Sequence, residues 1–225
     1  MMRKSVILVL SLAAAALAGC NETPTVASGD AVVAHLPAKL DPKCREGDAR
    51  LYDECGSQLA LFETARAEAA TSGKVVLVSF GAEWCIWCHV FDSHLGGGAG
   101  RFRYPVEGDD VTLVERSGEG VLPDAKALND FAAKTFVLVH IEGDHAPDGW
   151  QVLKASGVDV EKVVGYPYIF TVDANGRFAK ALDPNAAETR RDIPLDWYRG
   201  YDRKSLMTHL AGMRDAAVKP QGSAP

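Results

Sequence analysis

The chain contains no dense basic run, and its formal net charge is −6. Such a surface repels a polyanion, which argues against nucleic acid as a partner. It has one long apolar run, residues 5–18 (SVILVLSLAAAALA), and no second one after it. At 14 residues that run falls short of the roughly 20 needed to cross a bilayer. The glycines at 97, 98 and 100 are followed by no Lys-Ser/Thr pair, so they do not make a phosphate loop. Cysteine is scarce, five in 225 residues, and each one therefore asks for a role.

The apolar run follows Arg3 and Lys4 and ends in Leu17-Ala18-Gly19-Cys20. A short positive start before an apolar core is the pattern of a secretory signal. The ending resembles a bacterial lipobox, where the signal is cut before the cysteine and that cysteine takes the lipid. This resemblance implies a lipoprotein signal peptide over 1–19, lipidation at Cys20 and a membrane partner held through the lipid anchor. Each buried CH2 contributes about 0.8 kcal/mol, so several acyl chains on one cysteine anchor firmly. The expected location is the bacterial cell envelope, with the chain facing the periplasm. Asn21, not Asp, follows the cysteine, and by resemblance to enterobacterial sorting this leans away from the inner membrane. Residues 20–43 are poor in aromatics and rich in small and turn-forming residues, which predicts a flexible tether.

One domain is predicted beyond it, over 44–220. Four cysteines fall there: Cys44, Cys55, Cys85 and Cys88. An even number in an exported chain suggests two pairs. Their spacing favours 44–55 and 85–88. The stretch CREGDARLYDEC puts ten residues between Cys44 and Cys55 and reads as a structural disulfide, with nothing beside it to activate a thiol.

Residues 56–72 place Leu59, Phe62, Ala65 and Ala69 at helical spacing, with Ser57 as cap and Gly73 as stop. KVVLVSF (74–80) is a Val-rich run suited to a buried strand. A second helix is predicted over 123–134 with Asp124 as cap, then a strand over 135–141 and a short helix over 150–158. Residues 163–182 hold two strands around an Asn175-Gly176 turn. Residues 205–218 form an amphipathic helix with Leu206, Leu210 and Met213 on one face. Between these units, residues 96–123 keep no steady period and read as an insertion, with a short strand at 111–115. The predicted class is α/β, a central mixed β-sheet flanked by helices.

The segment AEWCIWCHVF (82–91) carries the chemistry. Its C-x-x-C-H suits c-type haem attachment, and its C-x-x-C suits thiol–disulfide exchange. A metal carrier is the third candidate, through Cys85, Cys88, His89 and His94. Haem needs an axial ligand and an apolar pocket around the macrocycle, and the strand–turn–helix context has no use for either. For a metal, His89 directly follows Cys88 and His94 lies well along the helix, an awkward set for one small ion. Thiol exchange uses the context fully. Cys85 stands where a helix N-terminus stabilises a thiolate. Cys88, one turn on, is placed to resolve a mixed disulfide.

KVVLVSFGAEWCIWC (74–88) and VVGYPYIFTVDANGR (163–177), with a last helix at 205–218, resemble the thioredoxin superfamily. The resemblance implies a thioredoxin-like fold with an insertion of about 96–123 after the active-site helix. It also implies a cis-proline at Pro167 beside the dithiol, with Tyr166 meeting substrate through its backbone. Trp84 and Trp87 are then candidate substrate-binding groove walls. The implied function is thiol–disulfide oxidoreductase, acting on cysteines of exported proteins, with no cofactor and no metal. A membrane electron donor or acceptor is a further candidate partner. The alternatives are a copper or other metal-binding carrier on this scaffold, or a non-catalytic binding module. Two departures stand out. Ile86-Trp87 replaces the Gly-Pro usual between the cysteines, which leaves the direction of electron flow open. Ser79 occupies the position of thioredoxin's buried Asp, with Glu83 nearby in a turn. His89 either tunes a cysteine or is an exposed helix residue. Glu142, Asp144 and His145 read as a solvated loop.

Overall fold

The computed structural model describes residues 31–47, 49–99, 101–106, 109–114, 121–190 and 199–219. The signal segment and Cys20 lie outside the described residues. In chain order the elements are β1 (Ala34–Leu36), α1 (Gln58–Ser72), β2 (Val75–Gly81), α2 (Ile86–Leu95), β3 (Arg101–Val106) and β4 (Asp109–Val114). Then follow α3 (Val121–Thr135), β5 (Phe136–Glu142), α4 (Gly149–Ser156), β6 (Tyr168–Val172) and β7 (Phe178–Ala181). The chain closes with α5 (Pro184–Ala187), β8 (Glu188–Arg190), β9 (Arg199–Tyr201) and α6 (Arg203–Val218).

Five strands form one mixed sheet in the order β1-β5-β2-β6-β7. β2 runs parallel to β5 and antiparallel to β6, and β1 is parallel to β5. Side chains alternate across a strand, so β2 feeds both faces of the sheet. Val75 and Leu77 pack with Val90, Phe91 and Leu95 of α2, Leu128 of α3, and Leu206, Leu210 and Met213 of α6. Val76, Val78 and Phe80 pack with Phe62 and Ala65 of α1 and with Val152 and Leu153 of α4. This is why the run after Lys74 is apolar but for Ser79: every β2 residue is buried. Fully burying a side chain such as Phe80 or Phe91 contributes roughly 1.5–3 kcal/mol.

The caps of α1 are those expected: Ser57 accepts from the Ala60 N–H, and Gly73 takes the left-handed conformation at φ 69°. Asp148 adds a tie from across the fold, accepting from the Ser57 hydroxyl and from the N–H groups of Gln58 and Leu59.

Two expectations need correction. The tether does not extend to residue 43, because Ala34–Leu36 join the sheet as β1 against β5. A three-residue strand is too short to show a period, although Val33, Leu36 and Pro37 are buried there. Asp124 is not a cap, since α3 begins at Val121 and holds Asp124 in its first turn. A carboxylate there still suits the helix dipole. The short strand expected inside the insertion is present as β4, paired antiparallel with β3.

Candidate active site

β2 ends at Gly81, a short turn follows, and Cys85 is the residue that opens α2. Its carbonyl accepts from the Cys88 N–H at 2.9 Å. One helical turn thus stacks the two cysteines, and both are free thiols. Cys85 is 3% exposed and Cys88 0%. The two sulfurs are electrostatically unequal. A hydrogen bond from the Cys88 thiol lowers the Cys85 pKa, against the opposing effect of burial, with help from the N–H groups of Cys88 and Trp87 and the charge of His89. Burial pushes the Cys88 thiol well up, and the bond and charge of Cys85 push the same way. Cys85 is therefore the more acidic sulfur of the pair and Cys88 the held thiol.

The loop closed by the Cys44–Cys55 disulfide lies directly against this pair. Its Cα atoms are 5.8 Å apart at the bridge. Leu51 and Tyr52 of the loop form one buried cluster with Ala82, Cys85 and Cys88. Glu83 holds the loop there, its Oε2 accepting from the Leu51 N–H at 2.9 Å and the Tyr52 N–H at 2.8 Å. Tyr52 reaches under the site and places its hydroxyl 3.1 Å from the Ser79 hydroxyl. Sequence reasoning missed Tyr52. It lies 33 positions before Cys85, and only its aromatic character inside a polar, cysteine-bounded loop marks it.

His89 is buried, which overturns its reading as an exposed helix residue. The imidazole Nε2 donates to the Glu83 carbonyl at 2.7 Å and lies 3.3 Å from its Oε1. Burial works against the imidazolium, but the hydrogen bond and charge of Glu83 outweigh it and raise the His89 pKa above 6.5. Burial likewise opposes the Glu83 carboxylate, yet the bonds from His89, Tyr52 and Leu51 lower its pKa below 4.5. The imidazole's contribution to stability is complete below pH 6.5 and is lost as pH rises through its raised folded value. The carboxylate's contribution is present above pH 4.5 and is lost as pH falls through its depressed value. The pair is thus strongest in the mildly acidic range between them. His89→Gln is expected to flatten the alkaline side of the stability profile and to raise the Cys85 pKa. Thermal unfolding and iodoacetamide alkylation across pH measure both, and an unchanged Cys85 profile would leave His89 a purely structural residue.

The solvated-loop reading of residues 142–145 fails at its first member. Glu142 is fully buried and accepts from the N–H groups of Glu83, Asp144 and His145. It thereby fastens the turn before Cys85 to the end of β5. Asp144 is half-exposed and accepts from the Trp84 indole at 2.8 Å. The Tyr166–Pro167 peptide is cis. Tyr166 packs against the dithiol cluster and stands edge-on to Phe80, with ring centroids 5.4 Å apart. Burial, then the charges of Asp144 and Glu142, push its pKa up to about 12. Trp84 is exposed beside it, at 5.9 Å between centroids, while Trp87 is half-buried against the core. The structure therefore gathers Cys85, Cys88, Trp84, Tyr166 and Pro167 at one end of the sheet. Trp87 belongs as much to the core. His94 is turned inward, its Nδ1 against the Val90 carbonyl and its ring edge on Tyr201. Among the described residues no cluster of three or more His, Cys, Asp or Glu is assembled as for a metal ion. A cavity of about 410 Å³ lies elsewhere, between Arg66, Lys74, Asp173, Asn175 and Lys219.

Residues 58–95 match a family model described as thioredoxin-like, and the match runs from α1 through the dithiol to the end of α2. No curated protein matches the chain significantly. A solved structure of a disulphide isomerase from Xylella fastidiosa Temecula1 is similar at 21% identity and a TM-score of 0.38, covering 58% of this chain and 76% of that one. The sheet, with parallel β5 and β2 followed by antiparallel β6 and β7, is a thioredoxin-like fold with a dithiol at the start of α2. The matched segment, from α1 to the end of α2, is the part of the chain that resembles the thioredoxin-like family.

Proposed function

We propose that this chain is a thiol–disulfide oxidoreductase of the bacterial cell envelope, lipid-anchored through Cys20, that acts on cysteines of exported proteins. The observation that carries this reading is the electrostatic inequality of Cys85 and Cys88 at the start of α2. A low-pKa sulfur attacks, and a protonated neighbour one turn away waits to resolve. In the reducing direction the Cys85 thiolate attacks a substrate disulfide, forms a mixed disulfide and expels one substrate thiolate. Cys88 then attacks Cys85, and the second substrate sulfur leaves with its electron pair. The dithiol ends oxidised, and two substrate thiols are formed. In the oxidising direction the same steps run backwards. Trp84 and the Tyr166-Pro167 edge frame the approach to Cys85, and a membrane donor or acceptor of electrons would restore the dithiol.

A redox titration tests this reading, with Trp84 and Trp87 as fluorescent reporters and Cys44–Cys55 intact. The expected result is one two-electron transition of the Cys85–Cys88 couple. A midpoint near about −270 mV would make the protein a reductant, and one near about −120 mV an oxidant. The absence of any two-electron transition would end the proposal.

A further inference from the structure

Ser79 stands where thioredoxin carries a buried carboxylate, so the resolving cysteine here lacks that partner. The space is not empty. Tyr52 fills it from the disulfide-closed loop and is itself fully buried. A Cβ built on Gly81 would lie 2.5 Å from the Cys88 sulfur and 2.7 Å from the Tyr52 hydroxyl oxygen. Both atoms close on the same point, and only glycine leaves it open. The phenol is fixed on its other sides as well. Its ring meets the edge of His140 at 5.2 Å, its backbone N–H is held by Glu83, and its hydroxyl contacts Ser79.

We propose that Tyr52 is a catalytic residue of the resolving step, its hydroxyl donating a hydrogen bond to the Cys88 sulfur and stabilising the thiolate that attacks the mixed disulfide. This rests on the function proposed above. In that step the Cys88 thiol gives up its proton and its sulfur bonds to Cys85. The bond between Cys85 and the substrate sulfur breaks, and the departing substrate thiolate takes up a proton. The groups that act on Cys88 among the described residues are Cys85, the Tyr52 hydroxyl and the Ala82 backbone. The groups that face Tyr52 are Cys85 and Cys88 from α2, Ser79 from β2 and His140 from β5. Burial, with the charges of both cysteines, holds the Tyr52 pKa well above 10.0, so the phenol keeps its proton and acts as a donor. The bond it gives works to lower the Cys88 pKa. With the Tyr52 proton directed at sulfur, its oxygen accepts from the Ser79 hydroxyl. A two-hydroxyl chain thus takes the place of the missing carboxylate, stabilising charge rather than accepting a proton.

The test uses the whole domain with Cys44–Cys55 intact and oxidised glutathione as the probe. In a Cys85→Ser background the lone Cys88 is titrated by thiolate absorbance. Tyr52→Phe is expected to raise its pKa by about one unit or more, as befits a lost hydrogen bond to a charged group. With both cysteines present, Tyr52→Phe should slow release of glutathione from the mixed disulfide about tenfold or more. Formation of that mixed disulfide at Cys85 should keep the wild-type rate. Ser79→Ala, which removes only the second hydroxyl, should move both quantities the same way by less. It also decides the matter if Tyr52→Phe does not fold. A Cys88 pKa and a release rate that neither variant moves would overturn the role of Tyr52 while leaving the proposed function standing. Wild-type protein that forms no mixed disulfide would overturn the proposed function and this step with it.

Discussion

Cys85→Ser is expected to bring disulfide reduction down to the uncatalysed rate. Cys88→Ser is expected to accumulate protein covalently joined to its substrate. The asymmetry follows from the positions of the two sulfurs. Cys85 opens α2, and its lowered pKa gives it more thiolate at neutral pH than an ordinary cysteine, which has only a few per cent. A serine hydroxyl in that place does not ionise there, and Cys88 cannot take over. It is fully buried behind Cys85, and burial pushes its pKa well above 9.0. With Cys88→Ser the first attack survives, since the α2 N–H groups and His89 still favour the Cys85 thiolate. The serine hydroxyl that replaces the Cys88 thiol is itself a donor to Cys85, so the first attack keeps that support. The resolving sulfur is then missing, and the mixed disulfide persists. Turnover with a model disulfide and mass spectrometry of the unreduced adduct read the two outcomes. A Cys85→Ser protein that reduces the model disulfide at the wild-type rate would sink the assignment.

The parts of the fold written in contiguous apolar pattern were legible in the sequence. β2, β5, the β6–β7 hairpin and the apolar face of α6 were each signalled by residues within a few positions of one another. The same is true of the dithiol, since C-x-x-C after a buried strand is a local pattern. What escaped was set by distance or brevity. β1 and the β8–β9 hairpin use three residues per strand, too few to show alternation. Tyr52 meets Cys88 only because the chain from residue 44 to 55 folds back over α2, which no spacing rule predicts. Glu142 looked like a loop residue because a carboxylate is rarely buried. Its three backbone N–H partners, which make the burial tolerable, come from residues 83, 144 and 145. The glutamates at 83 and 142 thus share one task that the sequence kept apart: they tie the turn before Cys85 to β5 and to the disulfide loop.

Removing the Cys44–Cys55 bridge should lower stability and loosen the cover over the dithiol together. Closing a loop of this length is worth about 3 kcal/mol in the chain-entropy model. For a domain of this size that corresponds to a fall in Tm of about 6–12 °C in the Cys44→Ala, Cys55→Ala protein. The loop keeps other anchors. Glu83 still holds the Leu51 and Tyr52 N–H groups, and Glu54 pairs with Arg45 at 3.2 Å. The Arg45–Glu54 pair joins residues next to the two cysteines, but a partly exposed ion pair holds the loop ends far more weakly than a covalent crosslink. The double variant is therefore expected to fold, with the loop opening locally more often than the sheet unfolds. Each opening withdraws Tyr52 and bares Cys88, so alkylation of Cys88 in a Cys85→Ser background should speed up markedly. The bridge itself should exchange no electrons with substrate, because the activating features belong to Cys85 at the start of α2 and neither Cys44 nor Cys55 shares them. Protein carrying Cys85→Ala and Cys88→Ala with an intact Cys44–Cys55 bridge should thus be inert toward a model dithiol or disulfide under conditions where the wild type turns over. Turnover by that variant would make the bridge a second redox pair. An unchanged alkylation rate in the bridge-free protein would show that the loop covers Cys88 through Glu83 alone.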